Sequence, residues 1–179
     1  MPAHPPPPKR SLPPRVAMAY QRECGPAIVE QSARRAINLI VWSAIQLVAY
    51  DATSKTPRIS GGPDLACVAN LSRALNDANL PTIHFVSFGG WEAPHPNTTF
   101  GADAWWGALE AYNARAAAAG LASGFDGIDW DIEGVNGGAG PGNTLSVACL
   151  KLVTSLSERA KRAGMLVSMA PPQSYLDPS

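Results

Sequence analysis

The chain has 179 residues, of which 46% are hydrophobic and 16% are charged, a composition typical of a globular protein and not of a disordered one. Fourteen Lys and Arg residues balance fourteen Asp and Glu residues, so no net positive charge favours nucleic acid or an anionic membrane surface. No segment approaches the apolar length needed to span a bilayer. We therefore expect neither nucleic acid nor a membrane as a partner.

The first fourteen residues hold seven of the 17 prolines, which predicts an extended, disordered tail over 1–14 and a globular domain over 15–179. This start lacks the basic residues and continuous apolar stretch of a secretory signal, so the compartment stays open. The three cysteines, Cys24, Cys67 and Cys149, are far apart, a spacing that indicates neither a zinc motif nor a dense disulfide framework. At least one thiol must stay unpaired in a monomer.

From residue 15 onward, short apolar runs alternate with longer amphipathic stretches, the pattern of repeated βα units. The pattern predicts strands at 16–20, within 37–48, and at 83–88, 125–132 and 165–170. It predicts helices at 27–36, from an Asp64 cap to about 79, at 103–119, and from Thr144 to about 163. Such elements form a parallel sheet, either Rossmann-like or a (β/α)₈ barrel. A nucleotide-binding Rossmann fold needs a Gly-rich first turn, where only Gly25 stands.

The fourth predicted strand carries Asp129, Asp131 and Glu133 at alternating positions, which places three carboxylates on one face about 6.6–6.8 Å apart. Burying like charges is tolerated chiefly where a raised pKa is useful, as in a general acid. Glu133 is the best candidate because it ends the strand, where barrel enzymes place catalytic groups. The alternatives are an exposed acidic strand or a calcium loop, but the Gly and later Glu of a calcium loop are missing. We expect no metal.

The run from Asp126 to Glu133 resembles the Asp-x-x-Asp-x-Asp-x-Glu signature of glycoside hydrolase family 18 and is similar to plant class III chitinases. Ser87-Phe88-Gly89-Gly90 resembles the Ser-x-Gly-Gly motif of that family, one βα unit earlier, and Met169-Ala170-Pro171 resembles its Ala-Pro segment. The resemblance covers 37–179 well and 15–36 loosely. It implies an α/β fold of the (β/α)₈ TIM-barrel type, truncated to about five βα units.

What the resemblance implies for function is a retaining, substrate-assisted chitinase that cleaves β-1,4 linkages of N-acetylglucosamine polymers. Glu133 would protonate the glycosidic oxygen, Asp131 would hold the substrate acetamide, and Asp129 would tune Asp131. Asp126 and Gly127 are expected to be structural parts of the motif. The implied partner is chitin or another N-acetylglucosamine-containing oligosaccharide, with no cofactor.

Four residues of the third strand and its end are expected to bind substrate. Ser87 belongs to the Ser-x-Gly-Gly motif, and Gly89 and Gly90 lack Cβ atoms, so substrate or backbone can approach closely. Trp91 either stacks on a sugar ring or packs as a half-buried side chain.

The remaining aromatic and histidine side chains have simpler interpretations. His84 is expected in the core, His95 in a loop, and Trp105 and Trp106 in helix packing. Glycosylation sequons occur at Asn97-Thr98-Thr99 and, within a predicted helix, at Asn70-Leu71-Ser72.

Two alternatives to a chitinase remain open: a non-catalytic, chitinase-like glycan-binding protein, and an endo-β-N-acetylglucosaminidase. The family's later strands supply a tyrosine and a tryptophan to the site, and Tyr175 comes too early to replace that tyrosine. Because those strands find no match here, we expect low chitinase activity and a sheet with two open edges and a half-exposed barrel interior.

Overall fold

The computed structural model describes residues 11–53, 55–91, 93–133 and 145–171. Strands and helices alternate along most of these residues, as the sequence predicts. The strands are β1 (Met18–Gln21), β2 (Leu39–Gln46), β3 (Ser60–Gly61), β4 (Ile83–Gly90), β5 (Gly127–Ile132) and β6 (Leu166–Met169). The helices are α1 (Ala27–Arg35), α2 (Leu65–Asp77), α3 (Ala102–Ala118) and α4 (Val147–Arg162). None of the helices in these ranges is long and apolar enough to cross a membrane.

The strands form one sheet in the order β1-β2-β4-β5-β6, and every neighbouring pair along this path is parallel. The short strand β3, which the sequence pattern did not predict, pairs antiparallel with β2. The predicted α/β class is therefore confirmed. Among the described residues β1 pairs only with β2 and β6 only with β5, so the strands form an open sheet, and closure into a barrel remains an expectation.

All four helices cover the same face of the sheet. Their buried residues share one core with outward-facing strand residues, among them Ile40, Trp42, Val86, Phe88, Ile128 and Trp130. Phe88 stacks on Trp130 with ring centroids 4.6 Å apart, and Trp130 Nε1 donates a hydrogen bond to Ser157 Oγ on α4 at 2.9 Å. A strand order that steps in one direction leaves the opposite face free of helices, and the candidate site lies on that face.

The helix-free face is more buried than expected. Leu39, Val41 and Phe85 form a small apolar cluster there, and none is more than 3% exposed. Phe85 packs tightly over Gly127, where an added Cβ would lie 2.4 Å from the phenyl ring. The expectation of a half-exposed barrel interior is therefore wrong at these three positions, whose side chains are buried.

The helix limits follow from local capping. Asp64 caps α2 as predicted, with Oδ1 accepting hydrogen bonds from the N–H groups of Ala66 and Cys67 at 2.9 and 3.1 Å. Ser146 caps α4 by accepting the Cys149 N–H at 3.1 Å. The helix thus begins at Val147, after the predicted start at Thr144, which itself lies outside the described residues. Most of the predicted tail and Tyr175 also lie outside them.

One disulfide bond joins Cys24, in the connection from β1 to α1, to Cys67 on α2. Cys149 keeps a free, buried thiol whose pKa is raised by burial. The sequence predicted an unpaired thiol but not which two cysteines form the bond. Trp105 is fully buried and Trp106 packs partly against the core, which confirms both as packing residues.

Candidate active site

The acidic residues of β5 and its end lie on the helix-free face, opposite the core residues Ile128, Trp130 and Ile132. Asp129 is completely buried, whereas Asp131 and Glu133 are partly exposed. The carboxyl groups of Asp131 and Glu133 interact directly, and this interaction helps to raise the pKa of Asp131. The alternation of a strand therefore produces one buried carboxylate followed by a pair that reaches solvent.

Three hydroxyl groups from three other strands hold Asp129. Tyr20 Oη of β1 and Ser87 Oγ of β4 donate to Asp129 Oδ2 at 3.0 and 2.8 Å, and Ser168 Oγ of β6 donates to Oδ1 at 2.5 Å. A buried carboxylate is tolerated when its oxygens are hydrogen-bonded, and these donors satisfy both of them. Burial, followed by the charge of Asp129, raises the pKa of Tyr20, which keeps its phenol protonated as a donor.

The prediction that Ser87 binds substrate does not fit this arrangement. Its side chain is fully buried and its hydroxyl proton is used by Asp129. Ser87 therefore holds the buried Asp129 in place and does not line the cavity described below.

The surroundings of Asp131 strongly raise the pKa of its carboxyl group. Burial, the hydrogen bond to Glu133, and the charges of Glu133 and Asp129 raise its pKa to about 7. The sequence argument did not expect a raised pKa at Asp131. Two coupled carboxyl groups titrate as a pair. Near neutral pH a proton is therefore available within the pair.

Asp131 and Glu133 open onto a cavity of about 450 Å³ at the carboxyl ends of the strands. Gly89, Gly90 and Trp91 line it too, and their predicted role in binding substrate stays a prediction. The other lining residues are Arg22, Ser43, Ala44, Gln46 and Ala93. Trp91 is 77% exposed, so the alternative of a half-buried packing side chain is wrong. The exposed ring lines the same cavity as the two carboxyl groups.

Gly89 lets the carboxyl ends of β4 and β5 approach closely. Its φ is +103°, and an added Cβ would lie 2.3 Å from the carbonyl oxygen of Asp131. Gln46 Nε2 also donates to the Gly89 carbonyl at 2.8 Å. The conformation and the lack of a side chain at this position thus fix the backbone that carries Asp131.

Asp126 holds the amino end of β5 against β4. Its Oδ2 accepts the His84 N–H at 2.7 Å, and its own N–H donates to the His84 carbonyl at 2.7 Å. The ring of His84 is buried, as predicted, and accepts a hydrogen bond from Trp42 Nε1 at its Nδ1, 3.1 Å away. Asp126 and Gly127 lie outside the cavity lining and make contacts of a structural kind.

Sequence reasoning missed Tyr20, Ser168, Arg22 and Gln46. A weak signal existed for the first two, since each is a polar residue near the carboxyl end of an otherwise apolar predicted strand. Within the described ranges, no group of three His, Cys, Asp or Glu side chains could hold a metal ion.

No protein-family model and no curated protein matches the chain. Among solved structures it is similar to the Group IV chitinase of Ostrinia furnacalis in complex with allosamidin, with 16% identity over 74% of this chain and 35% of that one, and a TM-score of 0.47. A second structure of that chitinase matches with 14% identity over 87% and 43% of the two chains and a TM-score of 0.48.

A structure of L-ribulose 3-epimerase matches with 13% identity over 85% of this chain and 48% of that one, and a TM-score of 0.37. The chain therefore spans less than half the length of each of these proteins. Similarity at this level does not assign a family.

Proposed function

We propose that the chain carries the acid machinery of a retaining, substrate-assisted glycosidase that acts next to N-acetylglucosamine in chitin or a related glycan. The observation that carries the proposal is that Asp131 and Glu133 line one cavity together, next to the buried Asp129. The motif around these residues supports the same chemistry.

In the proposed reaction, Glu133 donates the proton to the glycosidic oxygen as the bond from the anomeric carbon to that oxygen breaks. The carbonyl oxygen of the substrate acetamide forms the new bond to the anomeric carbon, so no enzyme nucleophile is required. Asp131 turns to the acetamide N–H and balances the positive charge of the oxazolinium. A water molecule then opens this ring while Glu133 takes up its proton, with retention at the anomeric carbon.

Asp129 acts in this scheme through Asp131. Its three hydroxyl donors come from β1, β4 and β6 and fix its position, so its charge acts on Asp131 from a constant distance. That charge helps to raise the pKa of Asp131, which favours transfer of a proton within the Asp131–Glu133 pair.

Trp91 favours a second candidate function, glycan binding without hydrolysis. Its exposed ring stands beside the carboxyl pair and offers an apolar face to a sugar whether or not the acid works. The two functions share the ligand and differ only in turnover.

The test compares chitotriose with cellotriose, which lacks the acetamido groups. Calorimetric titration of the chain at pH 6 should detect chitotriose and not cellotriose, and Trp91→Ala should weaken chitotriose binding about tenfold. Hydrolysis of a fluorogenic chitotrioside should fall about 10²–10⁴-fold in Glu133→Gln, with binding retained. Chitotriose binding without turnover would support the glycan-binding candidate. Equal binding of the two sugars, or none at millimolar concentration, would contradict both.

A further inference from the structure

The loop from β4 to α3 contains the sequence Asn97-Thr98-Thr99, and the structure holds the backbone of Asn97 firmly. The Asn97 N–H donates to the Leu47 carbonyl at 2.7 Å, and the Asn97 carbonyl accepts from Trp105 Nε1 at 3.0 Å. Both backbone polar groups are thus satisfied by neighbouring elements. The side chain is not needed to anchor the loop.

The side chain of Asn97 forms an Asx turn. Its Oδ1 accepts the Thr99 N–H at 2.9 Å, which brings the hydroxyl-bearing third residue of the sequon close to the asparagine amide. Asn97 is partly exposed, and Thr98 and Thr99 are exposed. Within the described residues, Asn97 Nδ2 donates to no acceptor. Substitution of the amide nitrogen therefore breaks no hydrogen bond to the part of the chain that the structure describes.

The disulfide bond between Cys24 and Cys67 is an independent observation that points to the same chemistry. Disulfides of this kind persist in oxidising compartments and are rare in the cytosol. In eukaryotic cells the compartment where they form is also the one where glycans are attached to Asn-x-Ser/Thr sequons. A chain with both features is suited to that compartment.

We propose that Asn97 is a site of N-linked glycosylation in a chain that matures in an oxidising, secretory compartment. The donor is an oligosaccharide linked to a polyprenyl diphosphate. Nδ2 of Asn97 forms a bond to the anomeric carbon of the first sugar and loses one proton, while the bond from that carbon to the diphosphate breaks and the polyprenyl diphosphate leaves with the electron pair. No oxidant or reductant is required.

The chain contains its own matched control in Asn70-Leu71-Ser72. Asn70 lies within α2, where helical backbone excludes the Asx turn, and its Oδ1 accepts a hydrogen bond from Arg73 Nη2 at 2.7 Å. Leu71 is buried at 5% exposure. This second sequon is thus held in a helical conformation that does not present the Asn70 side-chain amide for glycosylation.

The experiment expresses the full chain in yeast behind a secretion leader that is cleaved, with medium and cell extract both examined. Intact mass should show one N-glycan that peptide N-glycosidase removes, converting Asn97 to Asp. Asn97→Gln and Thr99→Ala should abolish it, while Thr99→Ser and Asn70→Gln should retain it. A wild-type chain without a glycan, or a glycan that persists in Asn97→Gln, would overturn the proposal.

Discussion

Tyr20 on β1 donates a hydrogen bond to Asp129 on β5 across two intervening strands, at 3.0 Å. In a flat sheet, strands three positions apart are separated by about 14 Å, and side chains stand roughly perpendicular to the sheet. The two side chains meet because the sheet curves towards this face. The curvature brings polar groups of distant strands onto one carboxylate.

Removing the Tyr20 hydroxyl tests how much this contact matters. Tyr20→Phe leaves the buried Asp129 with two of its three donors, so we expect the free energy of unfolding to fall by about 1–3 kcal/mol. Urea denaturation at pH 7 measures it. Tyr50→Phe is the matched control because Tyr50 is 50% exposed and keeps its ring contact with Phe100. Equal losses in the two variants would contradict the assigned role.

The sequence predicted much of the fold because apolar runs and caps are local signals. Asp64 was identified as a cap from its own position, and the phase of Asp129, Asp131 and Glu133 followed from strand alternation. The donors to Asp129 were not predictable in the same way. Tyr20 and Ser168 reach it only through the register and curvature of the sheet, which depend on packing between distant segments.

The pairing of Cys24 with Cys67 could not be predicted from the sequence for a related reason. Three cysteines allow several pairings, and only the packing of the β1–α1 connection against α2 selects one. The position of the raised pKa was also beyond the sequence, because it depends on which carboxyl groups share a proton and how deeply each is buried.

Asp131→Asn should change how stability depends on pH. The folded-state pKa of Asp131 is about 7 against a model value of 3.8, so its contribution to stability is present at low pH and is lost as pH rises through 7. The variant should therefore gain stability over the wild type between pH 4 and 8, by about 1 kcal/mol after allowance for solvent screening.

Thermal melts across this range give the difference between Asp131→Asn and the wild type at each pH. Glu23→Gln changes an exposed carboxylate in the same chemical way and serves as control. A wild-type minus variant difference that stays constant with pH would show that the Asp131 pKa is not raised.

Gly89→Ala should lower the free energy of unfolding, whereas Gly107→Ala should not. The positive φ of Gly89 and the 2.3 Å approach of a Cβ to the Asp131 carbonyl force the ends of β4 and β5 apart, and we expect a loss of about 3 kcal/mol or more. Gly107→Ala, in α3 with nothing within 4 Å of the added Cβ, should stabilise by about 0.5–1 kcal/mol. Similar losses in both would contradict the close contact. Urea denaturation measures each.

Reduction of the Cys24–Cys67 bond should lower Tm. The bond closes a loop with a sequence separation of 43, for which a stabilisation of about 2–4 kcal/mol is usual, or roughly 4–16 °C in a chain of this size. Calorimetry with and without dithiothreitol measures the shift. The Cys24→Ala/Cys67→Ala variant should melt at the lower temperature and ignore the reductant. An equal effect of reductant on both proteins would show that the shift in Tm does not come from this bond.

The buried ring of His84 makes a second pH-dependent contribution to stability, opposite in direction to that of Asp131. Burial lowers its pKa to about 4 from 6.5, so stability linked to His84 is lost as pH falls through this interval. Across nearly the same interval, Asp131 in the folded state takes up a proton that the unfolded chain would release. The two groups therefore contribute opposite slopes to the dependence of stability on pH in mild acid. Removing either group alone exposes the slope of the other.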